Sequence, residues 1–316
     1  MVQKMVSLPK VSIIIPVYNG ELFIGKCIER LLAQDYPQDK MEIIVSDDGS
    51  NDNTRDIVKS YGVTCISSTN KGPSSARNRG IKQASGQILI FIDADCLAHK
   101  KLIIRHVMAH MYYRVVDPNV MIIGGGIGGY NKNFWAVCDN FSSWYNYHPR
   151  LSKRRVNHHP TANMSVWHEL LAGVQFDEEL RFGEDYAFCV TAQRKGYKIM
   201  FEPQAKVLHI NRTSLKSYMN HAKQWGSYQY RLREKGLANP IYSRSFLWLL
   251  RALIYECGYK MAEIMYYSFR SKSFGILITF PFVFVNRLYL FYSMYKGDRA
   301  FYNDHEVTIR QRKAEM

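Results

Sequence analysis

The sequence predicts an α/β fold: a doubly wound, mostly parallel sheet flanked by helices. Two observations carry this. Short apolar runs at 11–15 (VSIII), 41–45 (MEIIV), 63–66 and 88–92 (ILIFI) alternate with segments of helical spacing, the pattern of right-handed strand–helix–strand crossovers. Three polar loops, Pro16-Val17-Tyr18-Asn19, Asp47-Asp48-Gly49-Ser50 and Asp93-Ala94-Asp95, each follow such a run. Ligands of doubly wound sheets bind beyond the carboxyl ends of the strands, where these loops fall.

Taken in order, the 11–15 run is stopped by Pro16 and breaks at Asn19-Gly20. Apolar residues at Leu22, Ile24, Ile28, Leu31 and Leu32 then recur with helical spacing until Asp35-Tyr36-Pro37. The 41–45 strand ends in an acidic loop, and helix-forming sequence follows over 54–60. The stretch 70–80 (NKGPSSARNRG) opens as a Gly-Pro turn and continues as a helix to about residue 84. Its free N–H groups, with Lys71, Arg77 and Arg79, suit a phosphate; a basic, solvated helix face is the competing reading.

The run 88–92 leads straight into Asp93 and Asp95. Five consecutive apolar residues read as a strand buried on both faces. If it stays extended, the two aspartates lie two apart and point to the same side. Converging carboxylates repel unless a cation sits between them, and a hard divalent ion shared with a phosphate is the usual solution. An Asp-rich turn closing a strand is the alternative.

Beyond Cys96, residues 99–114 are helical in pattern and 120–123 (VMII) form a strand. Gly124-Gly125-Gly126 after it requires close backbone approach or unusual dihedrals. The segment 130–160 gathers Trp135, Trp144, Tyr145, Tyr147, Arg150, Lys153, Arg154 and Arg155, and reads either as an acceptor-binding lid or as core aromatics beside a basic loop. Gly183-Glu184-Asp185 opens a helix running to about Lys195. The helix dipole alone favours acids there; a general base is the functional reading. Short strands at 198–201 and 205–208 lead to His209, a structural residue or a ligand.

Residues 215–235 are helical and basic, and 244–270 carry a helical apolar stripe. The run 274–292 is nearly continuous in apolar residues, interrupted by Pro281, Asn286 and Arg287. Nineteen residues reach roughly 28 Å as a helix, just short of a bilayer core. An in-plane or re-entrant membrane helix, a span and a capping helix are the three readings. Lys260, Arg270, Lys272, Arg287 and Lys296 suit an anionic leaflet.

A net charge of +15 over 316 residues favours an anionic partner, and 47% hydrophobic with 22% charged content is that of a globular protein. No nucleic-acid motif accompanies the charge, so phosphate-bearing substrates and an anionic membrane surface are expected rather than nucleic acid. The six cysteines are scattered, without a CxxC pair, which argues against zinc and redox motifs. MVQKMVSLPK has no apolar core and does not read as a secretory signal. The expected location is cytoplasmic, peripheral or monotopic at the membrane's cytoplasmic face, and the sequons at Asn163 and Asn211 then read as chance matches.

The ordered series VSIIIPVYN (11–19), IIVSDDGSNDNT (43–54), NKGPSSARNRG (70–80), FIDADC (91–96), GEDYAF (183–188) and LHINRTS (208–214) resembles the family 2 glycosyltransferases of the GT-A fold, over about residues 9–235. The resemblance implies metal-dependent transfer of a sugar from a nucleotide-diphosphate sugar, with Mn²⁺ or Mg²⁺ as cofactor. It implies that Pro16, Val17 and Tyr18 line the nucleotide pocket and that Asp47 or Asp48 bonds the base, a uracil first. Lys71, Arg77, Asp93 and Ala94 are assigned to the nucleotide sugar, and Asp95 and His209 to the metal. Asp185 is the implied catalytic base, with Glu184 and Asn163 in the acceptor region. One carboxylate suffices for a single inverting displacement, unlike the paired acids of glycosidases.

The segment TANMSVW (161–167) matches the family only loosely. The Gln-x-x-Arg-x-x-Arg-Trp motif of processive synthases is missing, and Gln224-Trp225 does not replace it. A single-addition enzyme is therefore expected, acting on a hydroxyl of a glycan or lipid-linked saccharide in cell-surface polysaccharide or glycoconjugate synthesis. The domain reading is 1–235 for the GT-A domain and 236–316 for a helical extension. The alternatives are a polyprenyl-phosphate sugar transferase and, from another class, a catalytically silent carbohydrate- or nucleotide-binding module.

Overall fold

The computed structural model describes residues 7–237, 246–272 and 274–296. The chain divides into two compact units, residues 1–130 with 146–210, and residues 131–145 with 211–316.

The first unit is built on one sheet whose strands are β1 (Val11–Val17), β2 (Met41–Asp47), β3 (Thr64–Ser67), β4 (Ile88–Ile92), β5 (Cys96–Ala98), β6 (Val120–Gly129), β7 (Arg154–Val156), β8 (Asn163–Trp167) and β9 (Lys198–His209). Its order is β3-β2-β1-β4-β8-β6-β9-β5, and β7 pairs with β9. The β3-β2-β1-β4 half is all parallel, as the alternating pattern predicts. β4 is buried at every position, which is why its sequence shows a run instead of alternation. Helices α1 (Ile24–Leu32), α2 (Thr54–Ser60) and α3 (Pro73–Gln83) make the crossovers.

The other half mixes directions. β8 runs antiparallel to both β4 and β6, so the segment TANMSVW supplies a central strand. β6 and β9 are parallel to each other, which sets the carboxyl ends of β1, β2, β4 and β9 along one edge of the sheet. The two short strands expected at 198–201 and 205–208 are one strand. Its irregularity lies where Gly125 pairs with Glu202 and the next residue, Gly126, pairs with Lys206. The glycine triplet answers to close approach. A Cβ on Gly125 would lie 2.4 Å from the Ala205 carbonyl oxygen, and one on Gly124 would lie 2.0 Å from the His159 ring.

One face of β8 sends Met164 and Val166 into a cluster with Phe91, Ile122, Phe176 and Phe188. The alternate residues Asn163 and Ser165 bond to α4 (Leu102–Val116): His106 Nε2 lies 2.9 Å from Asn163 Oδ1, and Ser165 Oγ lies 2.8 Å from both His106 Nδ1 and His110 Nε2. Burial lowers both histidines, His106 to about 4, so this layer is a neutral polar network with its partners largely satisfied.

In the second unit, α5 (Phe134–Ser143), α7 (Leu215–Glu234), α8 (Phe246–Ser271) and the helix Phe274–Lys296 pack together. Of the two readings of 130–160, the core reading describes this unit's aromatics: Phe141 and Tyr145 are buried with Tyr218, Ile264 and Val283, and Trp135 packs against them. Asn286 donates to the Tyr218 carbonyl, and Arg287 to the Ser142 carbonyl. The polar residues that interrupt the apolar run are therefore tied into this unit.

Candidate functional site

The site assembles at the carboxyl ends of β1, β2, β4 and β9. Beyond β1, Tyr18 is half exposed and Asn19 takes a positive φ of 51°. The Asn19 side chain accepts from Asn51 N (3.0 Å) and its backbone donates to Ser50 Oγ (2.8 Å), which fastens the first two loops together.

Asp47 and Asp48 are both buried. Asp47 accepts from Ser50 N and lies 3.9 Å from Arg55 Nε. Asp48 accepts from Lys71 N, Gly72 N (2.7 Å) and Arg79 (3.0 Å). Asp48 thus anchors the start of α3, and Asp47 keeps the larger unused acceptor capacity of the pair. Lys71 is exposed; it meets Asp48 through its backbone.

Arg77 lies on α3 with its side chain buried, and its guanidinium joins two loops that are far apart in sequence. Nη1 donates to Glu184 Oε1 at 2.7 Å, and Nη2 to Asp93 Oδ1 at 2.9 Å. Arg77, which the resemblance sets facing the nucleotide or diphosphate, has both amino groups of its fork held by carboxylates. Burial works against the Arg77 charge, but Asp93 and Glu184 outweigh it and raise its pKa. The solvated-face reading of 70–80 fails for residues 74–78, which are largely buried, while Lys71 is exposed.

Asp93 and Asp95 do not continue β4. The strand ends at Ile92, and the chain turns, with Cys96 N bonded to Asp93 O at 3.0 Å. The two carboxylates still interact: burial raises Asp93, Arg77 opposes and Asp95 adds, with an upward net effect. β5 then pairs with the end of β9, placing Cys96 opposite His209. His209 Nε2 lies 3.4 Å from Asp95 Oδ2, and Asp95, Cys96 and His209 present ligand atoms within 4.8 Å of one another. Ligand atoms about 2.1 Å from one small divalent ion stand roughly 3 Å apart, so the carboxylate and imidazole fit such an ion. Burial, then Asp95 and Asp93, push the Cys96 thiol far up, so it sits beside these two as a neutral group.

Gly183, with φ 70°, starts α6 (Glu184–Arg194), and Glu184 and Asp185 occupy its first turn. Burial raises the Glu184 carboxyl, Arg77 opposes and Asp185 adds. At Asp185 burial is outweighed by His158, by Arg77 and by the Tyr186 N–H, which donates at 2.7 Å, so its pKa falls. Neighbouring acids pushed apart in this way are suited to different tasks. Asp185 keeps partial exposure while Glu184 is bound to Arg77.

Asn163 stands apart from the acceptor region expected for it. It is fully buried and bonded to Gly126 O, Ala205 O and His106, so it supports the sheet beside the site. His158 was not legible in the sequence; its Nε2 lies 3.7 Å from Asp185 Oδ2.

Known proteins match this architecture. The glycosyl transferase family 2 model matches residues 12–169, half of the chain. Glycosyltransferase AglE of Haloferax volcanii is 32% identical over 62% of this chain and 65% of its own, so this chain spans just under two thirds of that relative. A Methanococcus voltae dolichyl N-acetyl-α-D-glucosaminyl phosphate 3-β-D-2,3-diacetamido-2,3-dideoxy-β-D-glucuronosyltransferase is 25% identical over 77% of this chain and 81% of its own. Among solved structures, the mannosyltransferase PcManGT of Pyrobaculum calidifontis, in complex with GDP-Man and Mn²⁺, superposes with a TM-score of 0.57 at 17% identity, covering 92% of this chain and 88% of that one. With its GT-A sheet and its family motifs in order along one edge, the chain belongs to glycosyltransferase family 2.

Proposed function

We propose that the chain transfers a sugar, with inversion, from a nucleotide-diphosphate sugar, a UDP-sugar first, to a hydroxyl of a glycan or lipid-linked saccharide in cell-surface polysaccharide or glycoconjugate synthesis. The observation that carries this reading is the Arg77 bridge, which ties the Asp93 loop to the Glu184-Asp185 turn. Because Asp185 follows Glu184 and keeps partial exposure, this bridge supports reading the Asp93 loop and the Asp185 carboxylate as parts of one site.

Asp185 takes the acceptor's proton as that oxygen attacks the anomeric carbon from the face opposite the leaving group. Its lowered pKa keeps it ionised at neutral pH, ready to receive that proton. Tyr18 borders the nucleotide, and Asp47 accepts from the base. Asp95 and His209 would hold Mn²⁺ or Mg²⁺, which supplies charge neutralisation for the departing diphosphate. Arg77 acts indirectly, by fixing Asp93 and Glu184.

The reaction class of the dolichyl-linked relative supports a lipid-linked saccharide acceptor. A polyprenyl phosphate is less suited, because it arrives ionised and gives Asp185 no proton to take. A panel of UDP- and GDP-sugars with Mn²⁺ or Mg²⁺, read by nucleoside-diphosphate release, is expected to yield turnover with one donor. No release from any of them overturns the reading and favours the silent binding module.

The second unit supports a membrane-surface location. Phe274–Lys296 is long and apolar enough to cross a membrane. However, Val283, Leu290 and Met294 are buried, while Ile278, Phe282, Val285, Leu288 and Tyr292 are exposed. One buried and one exposed apolar face fit a helix lying in the interface better than one crossing it. The full chain is expected to co-sediment with vesicles containing phosphatidylglycerol and less with phosphatidylcholine alone; equal recovery in the supernatant with both contradicts this.

A further inference from the structure

Asp185 has a neighbour that no family motif includes. His158 lies between Tyr147 and Asp185, with Nδ1 2.8 Å from Tyr147 Oη and Nε2 3.7 Å from Asp185 Oδ2. Its ring is also 5.3 Å from that of Tyr186, the residue after the base. The Nε2 atom is buried without a hydrogen-bond partner among the described residues, an uncommon state for a side-chain nitrogen in a protein interior.

The chemistry of the three groups sets their protons. An ionised carboxylate only accepts, so a neutral imidazole facing it carries its hydrogen on Nε2, and Nδ1 must then accept from the Tyr147 hydroxyl. A Tyr147 hydroxyl donating to Nδ1 is compatible with the tautomer that Asp185 requires and supports it. The 3.7 Å separation is too long for a direct hydrogen bond and short enough for one to form with a small side-chain movement. Asp185 Oδ1 already accepts from Tyr186 N. A second donor at Oδ2 would fix the rotation of the carboxylate and so the direction from which it meets an acceptor hydroxyl.

We propose that His158, supported in that tautomer by Tyr147, is a positioning residue for the base, orienting the Asp185 carboxylate toward the acceptor hydroxyl. The proposal rests on the reading of Asp185 as base. The downward pKa of Asp185, to which His158 contributes after burial is offset, agrees with it.

The test compares His158→Ala, His158→Gln, Tyr147→Phe and Asp185→Asn in the full chain. Nucleoside-diphosphate release is measured from the nucleotide sugar that the natural sequence turns over, with water as the acceptor, and donor affinity is measured by calorimetry. His158→Ala is expected to lower kcat by about 10- to 100-fold, with donor affinity within twofold of normal. The amide N–H of His158→Gln reaches the position of Nε2 and should recover most of the loss; Tyr147→Phe should lower kcat by several-fold. Normal kcat in His158→Ala, or a His158→Gln variant as impaired as His158→Ala, overturns the positioning role. If His158→Ala does not fold, the Gln and Phe variants decide between the same outcomes. Full release in Asp185→Asn would instead overturn the base assignment, so the two failures are distinguishable.

Discussion

Asp185→Asn is expected to lower transfer by about 10²–10⁴-fold, the usual contribution of a positioned general base, while donor binding stays intact. The amide keeps the shape of the carboxylate and can still accept from the Tyr186 N–H that now meets Oδ1. It cannot accept the acceptor's proton. Because Asp185 is ionised through the neutral range, the loss should be nearly constant from pH 6 to 8 and appear in kcat. A variant that retains turnover within tenfold of normal removes Asp185 from the role of base. Glu184 would not be expected to substitute, since it is buried and held by Arg77 at 2.7 Å.

The second large effect belongs to Arg77→Ala. Removing this guanidinium leaves Glu184, nearly buried, and Asp93, about a third exposed, without their shared cation. Removing one partner of a buried ion pair costs about 3–5 kcal/mol, a large fraction of the stability of an ordinary domain. The expected result is a marked drop in the denaturant midpoint, or insoluble protein. Arg77→Lys keeps the charge, but a point ammonium cannot reach two carboxylates as a planar fork does. That variant should fold, with reduced transfer and an altered Asp93 loop. Unfolding of Arg77→Ala within 1 kcal/mol of normal would show that the bridge carries little weight.

The strand-end loops of the candidate site were legible in the sequence because their information is local. β1, β2 and β4 declare themselves as apolar runs, and their loops place Tyr18, Asp47 and Asp93 along one sheet edge. His209, read from the sequence as a structural residue or a ligand, reaches Asp95 across more than a hundred residues through the β5–β9 pairing. The contacts that escaped are non-local. Arg77 has the composition of a phosphate-binding helix start, and nothing near it in sequence reveals that Glu184 and Asp93 claim both its amino groups. Asn163 lies in a short segment that matches the family only loosely and was assigned to the acceptor region, but Asn163 and Ser165 bond to His106 and His110 on α4. β8 was hidden for the same reason: its alternation of Asn163 and Ser165 with Met164 and Val166 serves two buried faces, one polar and one apolar. His158 belongs to no motif, and only the fold brings it near α6.

The proposed function depends on Asp95 and His209 holding the cation through which the chain would bind its donor. It is tested most directly by calorimetric titration of the turned-over nucleotide sugar into chelator-treated protein, with and without Mn²⁺, and into Asp95→Ala. The expected result is donor binding with added Mn²⁺ that is weakened at least tenfold without it and is not restored by Mn²⁺ in the Asp95→Ala chain. Equal donor affinity in all three titrations, with full transfer in the presence of chelator, would contradict it.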